Sequence, residues 1–189
     1  MEFRIADTAD DLVQAYRILH DVYVEAGMIA VEPLEMRLRP QDLLPTTWTI
    51  IARHRGCIVG EVTLVGDSAL GLPMEATHAA EIGALRQRGV AMVECSGLMC
   101  VPAYRDSGLS FVLFGQVRAL LRRLGIATMV MRVSPRLAPL YRDVLGCDAL
   151  GETRCDPSLL GNWYTAISLD VEGCEPRVRS ALTAGAAGG

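Results

Sequence analysis

The chain has 189 residues, including 18 cationic residues that are all arginine, 22 acidic residues and an apolar fraction of 51%, for a formal charge of -4. A chain of this length and apolar content buries a sizeable core as one compact domain, which excludes global disorder. The net negative charge argues against a nucleic acid partner, because phosphate neutralisation needs a basic face. No apolar stretch approaches the roughly 20 residues that a membrane span needs, so we expect no segment to cross a bilayer.

The N-terminus predicts the compartment in which the protein resides, and the cysteine spacing bears on metal binding. The first residues are acidic where a secretory signal needs a basic region followed by an apolar one, so we expect a cytoplasmic location. The six cysteines form none of the close pairs of zinc or redox motifs, and no metal site is predicted. Cys95 and Cys100 are the nearest pair, and their separation of five along a predicted strand points them to opposite faces.

The first part of the chain predicts one strand, one long helix and a long connection. Residues 3–6 form the predicted strand, and Thr8 is placed to cap an amphipathic helix that ends at Gly27. Residues 28–45 contain three prolines and mixed charge, which indicates a loop with at most one short helix. A connection of this length suggests a segment that covers a substrate.

The remainder predicts a hairpin followed by alternating helices and strands. The predicted strands are 47–53, 57–65, 91–101, 126–133, 149–153 and 163–170, and the predicted helices are 74–88, 107–124 and the segment from Ser134 to Gly146. This order predicts an α/β fold with a mixed sheet of about seven strands, and its two β-α-β passages require parallel neighbours. Residues 1–171 are expected to form a single domain and residues 172–189 a C-terminal tail.

The turn after the predicted strand 91–101 carries the most informative chemistry. Glycine and small residues there leave backbone N–H groups free to point at an anion, assisted by the dipole of the following helix. A pyrophosphate or a phosphopantetheine phosphate fits such a turn, and an ordinary strand-to-helix turn is the alternative. The predicted binding residues are Val101, Arg105, Asp106, Ser107, Gly108, Leu109 and Ser110.

This turn resembles the donor-binding segment of the GCN5-related N-acyltransferase fold. The pattern of that segment is Gln or Arg, two residues, Gly, one residue, and Gly or Ala; here Arg105, Gly108 and Ser110 fill it, with serine at the last small position. The run PRLAPLY with the later Leu145-Gly146 resembles the closing helix of that fold. The resemblance implies a twisted mixed sheet flanked by helices, with a splayed parallel pair of strands at its centre.

A narrower resemblance covers nearly the whole chain. The runs LHDVYVEAG, GEVTLVGDSALGLPME and ECSGL, with SPR, LY and a later GE, resemble the long-chain N-acyl amino acid synthases, relatives of the acyl-homoserine lactone synthases. The resemblance implies transfer of a long acyl group from acyl carrier protein, or from acyl-CoA, to the α-amine of an amino acid. The donor substrate is then an acyl-phosphopantetheine thioester, with no tightly bound cofactor. His20, Gly97 and Leu137 depart from the family, which has basic residues there.

Amide formation from a thioester requires a deprotonated amine, a polarised carbonyl and a protonated leaving thiolate. Glu94 is the predicted base or substrate-orienting group, and a strand-edge glutamate paired with an arginine is the alternative. Tyr141 lies where this fold often places a phenol beside the leaving sulfur, and a core aromatic is the alternative. The predicted substrate-binding residues are His20, Tyr23, Ser96, Leu98 and Met99, with a surface or capping role as the alternative for His20.

Arg118, Arg122 and Arg123 form a basic patch near the end of the predicted helix 107–124. An acidic carrier protein would be attracted to such a patch, and a solvated surface is the alternative. The leading prediction is therefore an N-acyltransferase that uses acyl carrier protein and an amino acid. Two other functions stay open: a short-chain N-acetyltransferase that uses acetyl-CoA, and a non-catalytic module that senses acyl carriers or lipids.

Overall fold

The computed structural model describes residues 1–173. Its seven strands are β1 (Glu2–Ile5), β2 (Thr47–His54), β3 (Cys57–Gly66), β4 (Met92–Cys100), β5 (Thr128–Val133), β6 (Asp148–Asp156) and β7 (Asn162–Asp170). Its four α-helices are α1 (Ala9–Glu25), α2 (Glu75–Gln87), α3 (Leu109–Leu124) and α4 (Ala138–Leu140). The predicted C-terminal tail begins at residue 172, and all of it after residue 173, including Cys174, lies outside the described residues. Among residues 1–173, no helix is long and apolar enough to cross a membrane.

The strands form one mixed sheet in the order β1-β2-β3-β4-β5-β7-β6. The pair β4-β5 is parallel, as the first β-α-β passage predicts, and the other pairs are antiparallel. The prediction that the second passage gives parallel neighbours is wrong, because β7 lies between β5 and β6. Strand β7 buries Ala166, Ile167 and Leu169, whereas β6 is mostly polar and exposed. The apolar strand therefore takes the inner position and the polar strand takes the edge.

Helix α1 begins as its sequence predicts. The Thr8 hydroxyl accepts a hydrogen bond from the Asp11 backbone N–H at 3.2 Å, which confirms the predicted N-cap. The buried Asp11 carboxylate in turn accepts hydrogen bonds from Arg4 and Arg53, each at 2.8 Å. Because these arginines belong to β1 and β2, the start of α1 is fastened to the edge of the sheet.

The predicted helix from Ser134 to Gly146 ends where the sequence predicts, but it begins later, at Ala138, and it is not a regular α-helix. Helix α4 is a single turn that runs directly into a π-helical turn at Tyr141–Leu145. The segment contains Pro135 and Pro139, which have no N–H to donate to a regular helical ladder. The widened turn ends at Gly146, which has the left-handed φ of 73° that favours glycine.

Strand β4 contains a β-bulge in its middle. Glu61 of β3 pairs with Met99, and Thr63 pairs with Ser96, so β4 carries one extra residue between these pairs. Gly97 lies within the bulge at a φ of 65°. The bulge inverts the alternation of side chains, so Cys95 and Cys100 both join the main hydrophobic core and the prediction of opposite faces is wrong.

Gly66 ends β3 where the strand meets the backbone that precedes β2. A Cβ atom at Gly66 would lie 2.7 Å from the Thr46 carbonyl oxygen, which cannot move as a flexible side chain can. We expect Gly66→Ala to lower the free energy of unfolding by about 1–3 kcal/mol in urea denaturation. Gly83→Ala is the control: it meets nothing within 4 Å on α2, and should raise stability by about 0.5–1 kcal/mol. Equal stability of the Gly66 variant and the wild type would contradict this packing.

Candidate active site

The central parallel strands separate partway along their length. Strands β4 and β5 pair at Met92 with Thr128, Val93 with Met129 and Glu94 with Val130, and no further pair follows. A cavity of about 600 Å³ opens beyond this point. Its lining includes Tyr23, Glu94, Ser96, Phe114, Arg132 and Tyr141. The fork in the sheet is the splayed parallel pair that the family resemblance implies.

Glu94 lies at the apex of the fork and is 1% exposed. Its Oε2 accepts a hydrogen bond from the Met74 backbone N–H at 2.7 Å, and its Oε1 lies 3.7 Å from Arg132 Nη2. Burial raises the pKa of this carboxyl, while Arg132 and the Met74 N–H oppose the rise. The predicted base is thus a buried group in the middle of the sheet, held on one side by an arginine, rather than a residue at a sheet edge.

Arg132 on β5 is a cavity residue that the sequence analysis missed. Its guanidinium is 10% exposed and contacts the carboxylate of Asp156, which is fully buried. Asp156 also accepts a hydrogen bond from the Ser158 N–H at 2.9 Å and so caps the turn between β6 and β7. The signal available in the sequence was one arginine inside the otherwise apolar run TMVMRV. Arg132 places a positive charge between two buried carboxylates.

Tyr141 lines the cavity from the π-helical turn. Its ring meets Phe114 edge-on, with centroids 5.8 Å apart, and its hydroxyl donates to no residue in the described part of the chain. Burial raises the pKa of the phenol well above its ordinary value. The hydroxyl therefore keeps its proton at neutral pH and is available to donate a hydrogen bond inside the cavity.

Cys95 also lines the cavity, where a reactive thiol could attack a thioester in place of the acceptor amine. Burial raises its pKa to about 12, and the neighbouring Glu94 carboxylate adds to the rise. The thiolate is the reactive form of cysteine. Cys95 is therefore an unreactive wall residue at neutral pH.

Two polar side chains, one half-buried and one fully buried, adjoin the cavity near α1. Arg39, from the loop after α1, donates from Nη1 to the Ser96 hydroxyl oxygen at 2.8 Å. Glu61 on β3 is fully buried, and neither of its carboxyl oxygens has a hydrogen-bond partner in the described residues. A Cβ atom at Gly97, which lines the cavity, would lie 3.8 Å from Glu61 Oε1. The sequence analysis missed both residues, although a glutamate within the run CIVGEVTLVG was a signal.

Glu61 makes the stability of the protein depend on pH. Burial and the nearby Asp42 raise its pKa from 4.5 to about 8, with Arg39 opposing. The folded state therefore binds this proton more tightly than the unfolded state, and stability falls as pH rises from 4.5 to about 8. We expect deprotonation of this carboxyl to lower the free energy of unfolding by about 4 kcal/mol by pH 8. In urea denaturation at several pH values, Glu61→Gln should not show this decrease. The exposed control Glu152→Gln should keep the wild-type slope, and an unchanged slope in Glu61→Gln would contradict the assignment.

The predicted substrate-binding residues divide into two groups. Tyr23, Ser96, Leu98 and Met99 line the cavity, and burial raises the pKa of Tyr23 to about 12. His20 lies outside that lining: its Nδ1 is 3.1 Å from Asp21 Oδ1, and its Nε2 accepts the Glu32 N–H at 3.1 Å. His20 thus joins α1 to the following loop, as in the capping role that was its alternative.

The predicted anion-binding turn lies beside the mouth of the cavity. Arg105 is the member that lines the cavity, and its Nη2 lies 3.1 Å from Glu25 Oε2 at the end of α1. Ser107 accepts a hydrogen bond from the Leu109 N–H at 3.3 Å and Gly108 has a φ of 76°, so the turn leads sharply into α3. Of the other predicted members, Val101, Asp106, Ser107 and Gly108 lie in the connection between β4 and α3, and Leu109 and Ser110 begin α3.

The predicted carrier-docking patch lies on α3, away from the cavity lining. Arg118 Nε donates to the Val171 carbonyl oxygen at 3.1 Å, and Arg122 pairs with Glu172 at 3.0 Å. Two of the three arginines are therefore bound by the segment that follows β7.

A second, apolar cavity of about 140 Å³ lies next to α3, and Phe114 lines both cavities.

A seven-stranded mixed sheet whose central parallel pair separates to open a cavity is the type of fold of the GCN5-related N-acyltransferases, as the sequence resemblance implied. A family profile described as N-acyl amino acid synthase FeeM matches residues 14–170. The chain belongs to this family and is an N-acyltransferase. No curated protein matches the chain in sequence. Within residues 1–173, no group of His, Cys, Asp and Glu side chains is arranged to hold a metal ion.

Solved structures show the same fold. FeeM, an N-acyl amino acid synthase from uncultured soil microbes, is 20% identical with a TM-score of 0.83, covering 96% of this chain and 97% of that one. The CoA-dependent acyl-homoserine lactone synthase BjaI, with SAM and isopentyl-CoA, is 19% identical with a TM-score of 0.65, covering 86% and 77%. An acyl-CoA N-acyltransferase from Pseudomonas aeruginosa is 15% identical with a TM-score of 0.67, covering 89% and 98%.

Proposed function

We propose that the protein transfers a long acyl group from an acyl carrier protein thioester, or from acyl-CoA, to the α-amine of an amino acid. The observation that carries the proposal is the buried Glu94 carboxyl at the apex of a cavity that also receives the free Tyr141 hydroxyl. Membership of the N-acyl amino acid synthase family supports the reaction class.

The donor is proposed to enter at the mouth beside Arg105, with its phosphate near the turn before α3 and its thioester at the fork. Part of the cavity wall is apolar, with Leu98, Phe114 and Met131 among its residues. Each methylene buried there contributes about 0.8 kcal/mol, so a long chain gains more than an acetyl group. The apolar cavity beyond Phe114 offers further room for the end of the chain.

Carrier docking is proposed at the same mouth. Arg136 and Arg142 are exposed next to the cavity residues Leu137 and Tyr141 in the chain, and Arg105 also lines the cavity. These arginines have charge complementarity to an acidic carrier, which mainly accelerates association. Of the patch predicted from the sequence, Arg118, Arg122 and Arg123, the first two bind the segment after β7.

In the proposed mechanism, the Glu94 carboxylate takes a proton from the acceptor ammonium, directly or through water. The amine nitrogen then bonds to the thioester carbon, and the carbonyl electron pair moves to oxygen. Collapse of this intermediate restores the carbonyl and breaks the C–S bond. The nitrogen of the intermediate still carries one proton more than the amide product, and this proton leaves to solvent water. The thiolate is stabilised by a hydrogen bond from Tyr141 and receives the proton that Glu94 accepted, so one proton is released to solvent in each turnover. The products are an N-acyl amino acid and the free phosphopantetheine thiol.

The Tyr141 hydroxyl should matter for rate more than for folding. We expect Tyr141→Phe to lower kcat by about 10- to 100-fold, because the leaving thiolate loses its hydrogen-bond donor. Steady-state kinetics with a long-chain acyl donor provide the measurement. Tyr16→Phe is the matched control, since Tyr16 is a buried tyrosine whose hydroxyl contacts the Asp42 carbonyl outside the cavity. Equal kcat values for wild type and Tyr141→Phe would exclude this role.

Product analysis tests the function directly. The purified protein is incubated with acyl carrier protein thioesters and acyl-CoAs of increasing chain length, together with all common amino acids, and products are identified by mass spectrometry. We expect N-acyl amino acids, with yield rising with chain length. Products from acetyl-CoA alone would support the short-chain acetyltransferase. Retention of acyl carrier without any product would support the non-catalytic module and overturn the proposal.

A further inference from the structure

Ser96 brings a hydroxyl group into the cavity next to the point where the two central strands part. It lies two residues after Glu94 on β4 and directly before Gly97 in the bulge. Its Oγ accepts a hydrogen bond from Arg39 Nη1 at 2.8 Å. Ser96 lines the cavity, whereas Arg39 does not; Arg39 lies in the loop that follows α1.

Arg39 has a fixed orientation. Its side chain is 17% exposed, and Asp42 binds it on one edge: Nε donates to Oδ2 at 3.0 Å and Nη2 to Oδ1 at 2.7 Å. The Arg39 backbone N–H donates to the same carboxylate at 2.8 Å. A paired contact between guanidinium and carboxylate sets the plane of the guanidinium. Nη1 is thereby directed at Ser96.

The contact with Arg39 determines what the Ser96 hydroxyl can do. A hydroxyl has one hydrogen to donate and lone pairs that accept. Because the oxygen already accepts from a guanidinium, its hydrogen is left to donate, and the positive charge polarises the O–H bond. The structure gives Ser96 Oγ no second partner within residues 1–173. The Ser96 O–H is therefore a hydrogen-bond donor that can stabilise a substrate atom on which negative charge develops during the reaction.

We propose that Arg39 is a positioning residue for acyl transfer, which holds the Ser96 hydroxyl so that it donates a hydrogen bond to the thioester carbonyl oxygen. This inference rests on the proposed function. As the amine nitrogen bonds to the carbonyl carbon, the C=O electron pair moves to that oxygen, and the Ser96 O–H stabilises the charge. When the C–S bond breaks, the pair returns to the carbonyl. Ser96 itself transfers no proton, and Glu94 remains the proton acceptor.

A double-mutant cycle tests the link between the two residues. Ser96→Ala should lower kcat by about 100-fold, the usual loss of one oxyanion donor, while Ser96→Thr keeps the hydroxyl and should retain most of the rate. Arg39→Met combined with Asp42→Asn removes the positioning contact without leaving Asp42 as a buried unpaired charge. This paired variant should also lower kcat, with the donor KM little changed.

Combining the paired variant with Ser96→Ala distinguishes the proposal from a structural role. If Arg39 acts through Ser96, the combination should be no slower than Ser96→Ala alone. Fully additive losses, or normal kcat in Ser96→Ala, would overturn the inference. Urea denaturation of each variant separates loss of rate from loss of folded protein.

A spectroscopic measurement works without turnover. The probe is a long-chain acyl-pantetheine analogue in which a methylene replaces the sulfur and the carbonyl carbon is labelled with ¹³C. Its infrared carbonyl band should shift to lower frequency on binding to the wild type, and the shift should be smaller in Ser96→Ala and in the paired variant. Turnover by the wild type with the same band position in all three proteins would overturn this inference alone. Absence of both turnover and binding in the wild type would overturn the proposed function as well.

Discussion

Replacement of Glu94 by glutamine should lower kcat with a long-chain donor by about 10²- to 10⁴-fold, the range for loss of a general base. Glutamine has nearly the same shape and can still accept the Met74 N–H hydrogen bond, but it cannot take a proton from the acceptor ammonium. The acceptor would then attack the thioester only through the small fraction of its amine that is already deprotonated in solution. The donor KM should change little, because the acyl chain binds mainly beyond the fork.

The pH profile gives a second readout for Glu94. A base acts in its deprotonated form, and burial raises the pKa of Glu94. The kcat/KM of the wild type should therefore decrease as pH falls, and this decrease should occur at a higher pH than for an ordinary carboxyl group. The pH profile of Glu94→Gln should lack this decrease on the acid side. Glu35→Gln on the exposed loop after α1 is the matched control. A Glu94→Gln protein that keeps wild-type kcat and the same acid limb would eliminate Glu94 as the base.

Arg132→Met should be the most destabilising of the substitutions considered. The guanidinium contacts the buried Asp156 carboxylate and lies 3.7 Å from Glu94, and methionine leaves both acids without this positive charge. Breaking a buried pair by removing one partner costs about 3–5 kcal/mol. Urea denaturation at neutral pH is the measurement.

Two further variants separate the ion pair from the packing of Arg132. Arg132→Met combined with Asp156→Asn removes one stranded charge and should recover part of the loss. Arg122→Met is the surface control: its guanidinium is 44% exposed and pairs with Glu172, so the change should cost less than about 1 kcal/mol. If the free energy of unfolding of Arg132→Met lies within about 1 kcal/mol of the wild-type value, the buried ion pair does not stabilise this part of the sheet.

Local sequence patterns predicted most elements because their signals lie within a few residues. Thr8 caps α1, and Gly125 ends α3 in the left-handed conformation that the sequence indicates. The run from β4 through α3 to β5 also predicted the parallel pair, and the family resemblance implied that it is splayed. Glu94 and Tyr141 were predicted from motifs that are contiguous in the chain, and both line the cavity.

The parts of the site that were missed depend on pairing across the sheet. The bulge at Gly97 becomes visible only when β4 is set against β3, and it changes which side chains share a face with Glu94. Arg39 reaches Ser96 across 57 residues of sequence, and Arg132 contacts Asp156 across 24. Nothing local in the sequence specifies such partners, because each contact depends on the strand order and on the path of a loop.

The most direct test of the fork as the site of acyl transfer is a crystal structure of the protein with a long-chain acyl-pantetheine analogue whose sulfur is replaced by a methylene. We predict that the chain passes between β4 and β5 beyond Glu94, with its carbonyl oxygen within hydrogen-bond distance of Ser96 Oγ and its phosphate near Arg105. An analogue bound elsewhere, with the cavity at the fork empty of ligand at saturating concentration, would contradict the account.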